Sequence, residues 1–84
     1  MYKIIVSRSA KKNLKNITKK LQQKVISEAF KDIKQDPFIG KLLRRELSKR
    51  YSYRIGNYRI MYKIRLKDKI VEVLKVQHRA VVYN

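Results

Sequence analysis

The chain contains no cysteine and no tryptophan, one proline, two glycines, one histidine and six acidic residues among 84. Without cysteine there are neither disulfides nor thiolate metal sites, and a lone histidine does not make a zinc site. No apolar run approaches the ~20 residues of a membrane-spanning helix. The apolar stretch near the N-terminus, Ile4-Ile5-Val6, falls short of the ~7–15 residue core of a secretory signal. These features describe a soluble, cytoplasmic protein without metal or cofactor. The rarity of glycine and proline leaves few places where the chain can turn sharply. The shortage of acid leaves most of its positive charge unbalanced.

That charge dominates the composition. Lysine and arginine number 23 against six acidic residues, giving a net +17, about one unbalanced charge per five residues. A fold this small must carry it over most of its surface, where self-repulsion costs stability. The partner this predicts is polyanionic: nucleic acid first, an acidic protein second. Hydrophobic residues make up 44%, enough for a single packed domain over residues 1–84 and too few residues for a second core.

The patterning predicts an α+β fold in the order β-α-α-β-β-β. Tyr2–Val6 is β-branched and short, a strand. Ser7 or Ser9 suits a helix N-cap. From Ala10 to Ile33 there is neither glycine nor proline, and two apolar stripes recur at helical spacing: Ala10, Leu14, Ile17 and Leu21, then Val25, Ala29 and Ile33, flanked by Ile26 and Phe30. One helix of this length would outrun a domain of ~12 Å radius of gyration, so a break near Thr18–Gln22 should divide it into an antiparallel pair. Lys11, Lys12, Lys15, Lys19, Lys20 and Lys24 crowd the polar faces. They suit a phosphate-facing surface and equally a solvated one. Asp36-Pro37-Phe38-Ile39-Gly40 ends the second helix, with Phe38 and Ile39 expected in the core. Lys41–Arg50 reads as a basic connection, in which Glu46 serves charge pairing rather than catalysis.

Three strands follow, joined by Gly56-Asn57 and by Lys67-Asp68-Lys69, and should form an antiparallel meander with the helix pair on one face. Tyr58, Ile60, Tyr62, Ile64 and Leu66 alternate with Arg59, Met61, Lys63 and Arg65. The face carrying Arg59 and Lys63 is the one left for a ligand. His78 falls in phase with Leu74 and Val76. Tyr51–Tyr62 and Val76–Tyr83 both set arginine and tyrosine among aliphatic residues. As neighbouring strands they would bring Arg54, Arg59, His78, Arg79 and Tyr83 to one site, with Lys49 and Arg50 steering substrate toward it.

Gly56-Asn57-Tyr58-Arg59-Ile60 with Tyr62 following, then Val76-x-His78-Arg79-x-x-Val82-Tyr83, and the Asp-Pro-Phe-x-Gly turn, together resemble the RelE/ParE toxin superfamily over nearly the whole chain. The resemblance implies a toxin of a type II toxin–antitoxin pair, held by an acidic antitoxin. RelE-like members cut mRNA in the ribosomal A site by attack of a ribose 2′-hydroxyl on the adjacent phosphate. In them the positions matching Arg54, Arg59, Arg79 and Tyr83 serve the RNA site, and many carry a histidine at the position of His78. Some carry two lysines where this chain has Arg50 and Ser52. ParE-like members instead poison DNA gyrase, and the charge alone would suit a plain nucleic-acid-binding module.

Each residue type fits a part of such chemistry. Arginine can contact two phosphate oxygens at once and stays protonated, so it neutralises charge and is a poor base. Histidine, with an unperturbed pKa of ~6.5, suits proton transfer. Tyr83 can stack on a base or, with its phenol lowered by surrounding cations, move a proton.

Overall fold

A computed structural model describes residues 1–44 and 49–78, with the side chain of Arg44 left aside. The chain forms β1 (Lys3–Val6), α1 (Arg8–Lys15), α2 (Lys20–Gln35), a 3-10 turn (Pro37–Ile39), β2 (Lys41–Arg44), β3 (Arg50–Ile55), β4 (Tyr58–Arg65) and β5 (Ile70–His78). The expected α+β class and the meander of β3, β4 and β5 are present. Two features extend that expectation. Lys41–Arg44, read as connection, is a fourth meander strand paired antiparallel with β3. The sheet is mixed rather than antiparallel throughout, because β1 runs parallel to β5, giving the order β1-β5-β4-β3-β2.

Local chemistry explains the boundaries. Ser7 caps α1, its hydroxyl accepting from the Ala10 amide at 3.1 Å. The break falls at Asn16–Lys19, slightly before the predicted position, where Gln23 Nε2 donates to the Ile17 carbonyl at 2.9 Å and closes the corner. Leu21 does not continue the first stripe and is 74% exposed, because the corner rotates the face of α2 away from it. Asp36 accepts from the Phe38 amide and starts the 3-10 turn. That turn buries Pro37 and leaves Phe38 and Ile39 on the surface, contrary to their expected place in the core. Gly56 takes a positive φ of 56° in the β3–β4 hairpin, a conformation glycine adopts without a steric cost.

The core lies between helices and sheet. Ala10, Ile17, Ile26, Ala29 and Ile33 pack on Tyr58, Ile60, Tyr62, Val71, Val73 and Val76. Tyr62 anchors one end: its hydroxyl donates to the Pro37 carbonyl at 2.6 Å and accepts from the Gly40 amide at 3.2 Å. A Cβ at Gly40 would strike that hydroxyl, so residue 40 must be glycine for the latch to close. Tyr51 stacks on Tyr62 at 5.7 Å, and Phe38 meets Tyr51 edge-on at 6.0 Å. On β3, Tyr53 donates to Asp32 of α2 at 2.9 Å. Burial, and then Asp32, raise the Tyr53 phenol above its ordinary pKa.

One irregularity shapes everything that follows. Met61 pairs with Lys75 but Tyr62 pairs with Val73, so Leu74 is an extra residue on β5. This β-bulge reverses the alternation. Val71 and Val73 face the helices before it; Val76 does so after it. Two side chains hold the bulge beyond the end of β1. Ser7 Oγ donates to the Leu74 carbonyl at 3.0 Å, and Asn13 Oδ1 accepts from the Val76 amide at 3.1 Å.

Candidate nucleic-acid interface

The face of the sheet opposite the helices is built of cross-strand rows. Arg54 stands opposite Arg59, and Arg59 opposite Gln77. The next row inward is Lys41, Ser52, Met61 and Lys75. The third is Arg50, Lys63 and Glu72. Residues directly opposite share a face, with Cβ atoms about 4.5–5.5 Å apart. Arg54 and Arg59 are therefore adjacent cations, as are Arg50 and Lys63. Arg50, Arg54 and Lys75 are exposed, while Arg59 and Lys63 are half-buried. Lys49 is exposed just before β3.

Like charges held this close have no reason in packing, since they repel. They are what binding a phosphate requires. Glu72 is the acid among the described residues of this array: its Oε1 lies 3.0 Å from Arg65 Nη2 and 3.7 Å from Lys63 Nζ. It fixes the far end of the basic track. Ser52 and Met61 leave the middle of the face uncharged.

Of the sequence-predicted residues, Arg54 and Arg59 converge, and Arg50 and Lys63 form a second pair on the same face. His78 does not join them. It pairs with Tyr58, whose side chain is in the core, and the two rings meet edge-on at 4.8 Å on the helix side. The cause is the bulge. An unbroken strand would set His78 in phase with Leu74, on the arginine face; the extra residue turns it over and presents Gln77 and Lys75 in its place. Arg79, Tyr83 and Glu46 lie outside the described residues.

Sequence reasoning also passed over a groove beside the end of β5. It has a volume of about 710 Å³ and runs between that strand and the α1–α2 corner. Asn16, Gln22, Gln77 and His78 are among the residues lining it. The signal in the sequence was the cluster Asn13, Asn16, Thr18 and Gln22 within a run of lysines. Among the described residues no group of His, Asp and Glu could hold a metal ion, and no helix is long and apolar enough to cross a membrane.

Residues 4–83 match the family described as ParE toxin of type II toxin–antitoxin system, parDE. The chain is 35% identical over 84 residues to Toxin RelG of Mycobacterium tuberculosis, covering 99% of this chain and 97% of that one. Among solved structures, the RelBE2 toxin–antitoxin complex of M. tuberculosis superposes with a TM-score of 0.80 at 34% identity, covering 93% of this chain and 98% of the matched one. The isolated E. coli RelE toxin superposes at 0.78 and 18% identity, covering 99% of this chain and 92% of that one, a likeness of fold.

Proposed function

The chain belongs to the RelE/ParE family of type II toxin–antitoxin toxins, and from that premise we propose that it is an endoribonuclease cutting mRNA in the ribosomal A site. The observation that carries the reading is the Arg54–Arg59 pair on a sheet face that no described element covers, inside an array of further cations.

The two guanidiniums bind the non-bridging oxygens of the scissile phosphate. As the ribose 2′-oxygen attacks phosphorus, negative charge builds on those oxygens, and fixed cations lower its energy. The bond from phosphorus to the 5′-oxygen breaks, giving a 2′,3′-cyclic phosphate and a 5′-hydroxyl. One proton leaves the 2′-hydroxyl and one reaches the 5′-oxygen. We assign a third guanidinium to Arg79, and base stacking with proton transfer to Tyr83. His78, on the helix side of the sheet, is not assigned to the proton. Arg50, Lys63 and Lys49 hold flanking phosphates. An acidic antitoxin covers this cationic surface in the paired state.

The test is a cell-free translation reaction with mRNA 5′ ends mapped by primer extension, beside a reaction lacking ribosomes. Cuts in register with the reading frame and only with ribosomes are expected. Arg59→Ala and Arg54→Ala should each lower the rate about a hundredfold or more. Full cutting by both variants would overturn the assignment.

The ParE family match supports a second reading, inhibition of DNA gyrase. A supercoiling assay with purified gyrase separates the two: inhibition with intact mRNA favours it, and unimpeded supercoiling removes it.

A further inference from the structure

The groove beside β5 is not part of the phosphate site, yet it adjoins it. Gln77 stands directly opposite Arg59 and also lines the groove, so the Arg54–Arg59–Gln77 row leads from the phosphate-binding pair across β5 to its mouth. The lining differs in chemistry from the rest of the surface. Asn16 and Gln22 contribute carboxamides, and no carboxylate is among the described lining residues. Neither of these side-chain amides has a hydrogen-bonding partner among the described residues. Lys19 and Lys75 supply charge at the groove, and the edge-on pair of Tyr58 and His78 supplies ring surface.

We propose that this groove receives an unpaired nucleobase of the RNA whose phosphate lies on Arg54 and Arg59, and that Asn16 and Gln22 read its hydrogen-bonding edge. The inference rests on the RNA reading above and adds to it the origin of sequence preference. A carboxamide both donates and accepts, which matches the mixed pattern on a base edge; lysine only donates and cannot distinguish bases as well. Aromatic and aliphatic walls suit an unstacked base, which is how single-stranded RNA is generally read. Lysines at the groove complement a phosphate beside that base. At about 710 Å³ the groove has room for a base. The bulge is what makes this possible. It sends Gln77 to the arginine face and His78 to the groove wall, so one turn of strand serves both places.

The experiment uses short 2′-O-methyl RNA, which cannot be cleaved, binding to the full chain followed by fluorescence anisotropy. Each position carries in turn the four bases and an abasic residue. The wild type should distinguish bases at one position by about tenfold or more, and the abasic residue there should bind most weakly. The double variant Asn16→Ala/Gln22→Ala should bind every sequence alike, with the salt dependence of binding unchanged because no cation was removed. Circular dichroism confirms its fold, and Gln22→Ala alone serves if the double variant does not fold. Equal binding of all bases by the wild type would overturn the proposal, as would discrimination that survives in the variant. So would protection of the groove from hydrogen exchange by an acidic peptide and not by RNA. Cleavage of ribosome-borne mRNA is scored separately. Base discrimination without cutting sinks the nuclease reading alone, and cutting without base discrimination sinks the groove alone.

Discussion

Arg54 and Arg59 face each other across β3 and β4, two guanidiniums in register on a surface that no described element covers. Directly opposed like charges cost a strand pair about 0.2–1 kcal/mol. Arg54→Gln should therefore stabilise the fold by about 0.5 kcal/mol, raising the melting temperature by roughly 2–4 °C, while cleavage falls. Calorimetry beside the primer-extension assay reads both. A variant that loses activity together with stability would show that Arg54 holds the sheet rather than a phosphate.

Tyr62 ties β4 to the turn after α2. Its buried phenol is pushed up to about 12 from 10.0, chiefly by desolvation. The raised value means the folded state favours the protonated phenol. That contribution is complete below pH ~10 and is lost as pH rises toward about 12. The loss is about 2–3 kcal/mol at most, from two units at ~1.4 kcal/mol each. Tyr53 shifts in the same direction. Tyr62→Phe should cost about 1–3 kcal/mol at neutral pH, because the Pro37 carbonyl and Gly40 amide lose their partner. It should also flatten the alkaline limb of the stability profile in urea titrations. An unchanged limb would assign alkaline unfolding to other groups.

The bulge at Leu74 depends on acceptors and donors supplied by Ser7 and Asn13. Asn13→Ala removes the partner of the Val76 amide and should cost about 1–2 kcal/mol. Asn13→Asp keeps an oxygen acceptor and should recover most of that loss. Equal destabilisation by both, measured by urea unfolding, would mean the side chain acts through packing.

Glu72 restrains Lys63 and Arg65 through one oxygen. Glu72→Gln should release both to solvent and strengthen polyanion binding about two- to fivefold at low salt, with a steeper salt dependence. An exposed pair contributes little to stability, so unfolding should change by less than ~1 kcal/mol. Weaker RNA binding in this variant would indicate that Glu72 orients Lys63 productively.

Much of this was legible in the residues. The alternation from Tyr58 identifies β4 and assigns its two faces correctly as far as Arg65, because a strand half covered by helices writes its burial directly into sequence; Leu66, expected to continue the apolar face, lies past the strand end and is 59% exposed. Gly56-Asn57 marks the hairpin, and that turn then fixes the register that sets Arg54 against Arg59. Lys41–Arg44 escaped notice because an edge strand is exposed and has little burial to record: Leu42 and Leu43 are 40% and 41% exposed. Phe38 was misplaced because burial in the Asp36–Gly40 segment follows the turn geometry, not hydrophobicity. His78 went to the wrong face for a deeper reason. A single extra residue in β5 inverts every side chain beyond it, and what supports that residue is a serine and an asparagine more than 60 positions away. Periodicity within the strand carries no trace of them.

The parallel pairing of β1 with β5 has a consequence in time. Ser7 and Leu74 are 67 residues apart in sequence, and the sheet is incomplete without that closure. During synthesis at about 5–20 residues per second, β1 waits several seconds for its partner to leave the ribosome. Through that interval β1 has no strand to pair with, and the Ser7 hydroxyl has no Leu74 carbonyl to meet. The face that would cut RNA therefore acquires its final geometry only as the last strand docks against the first.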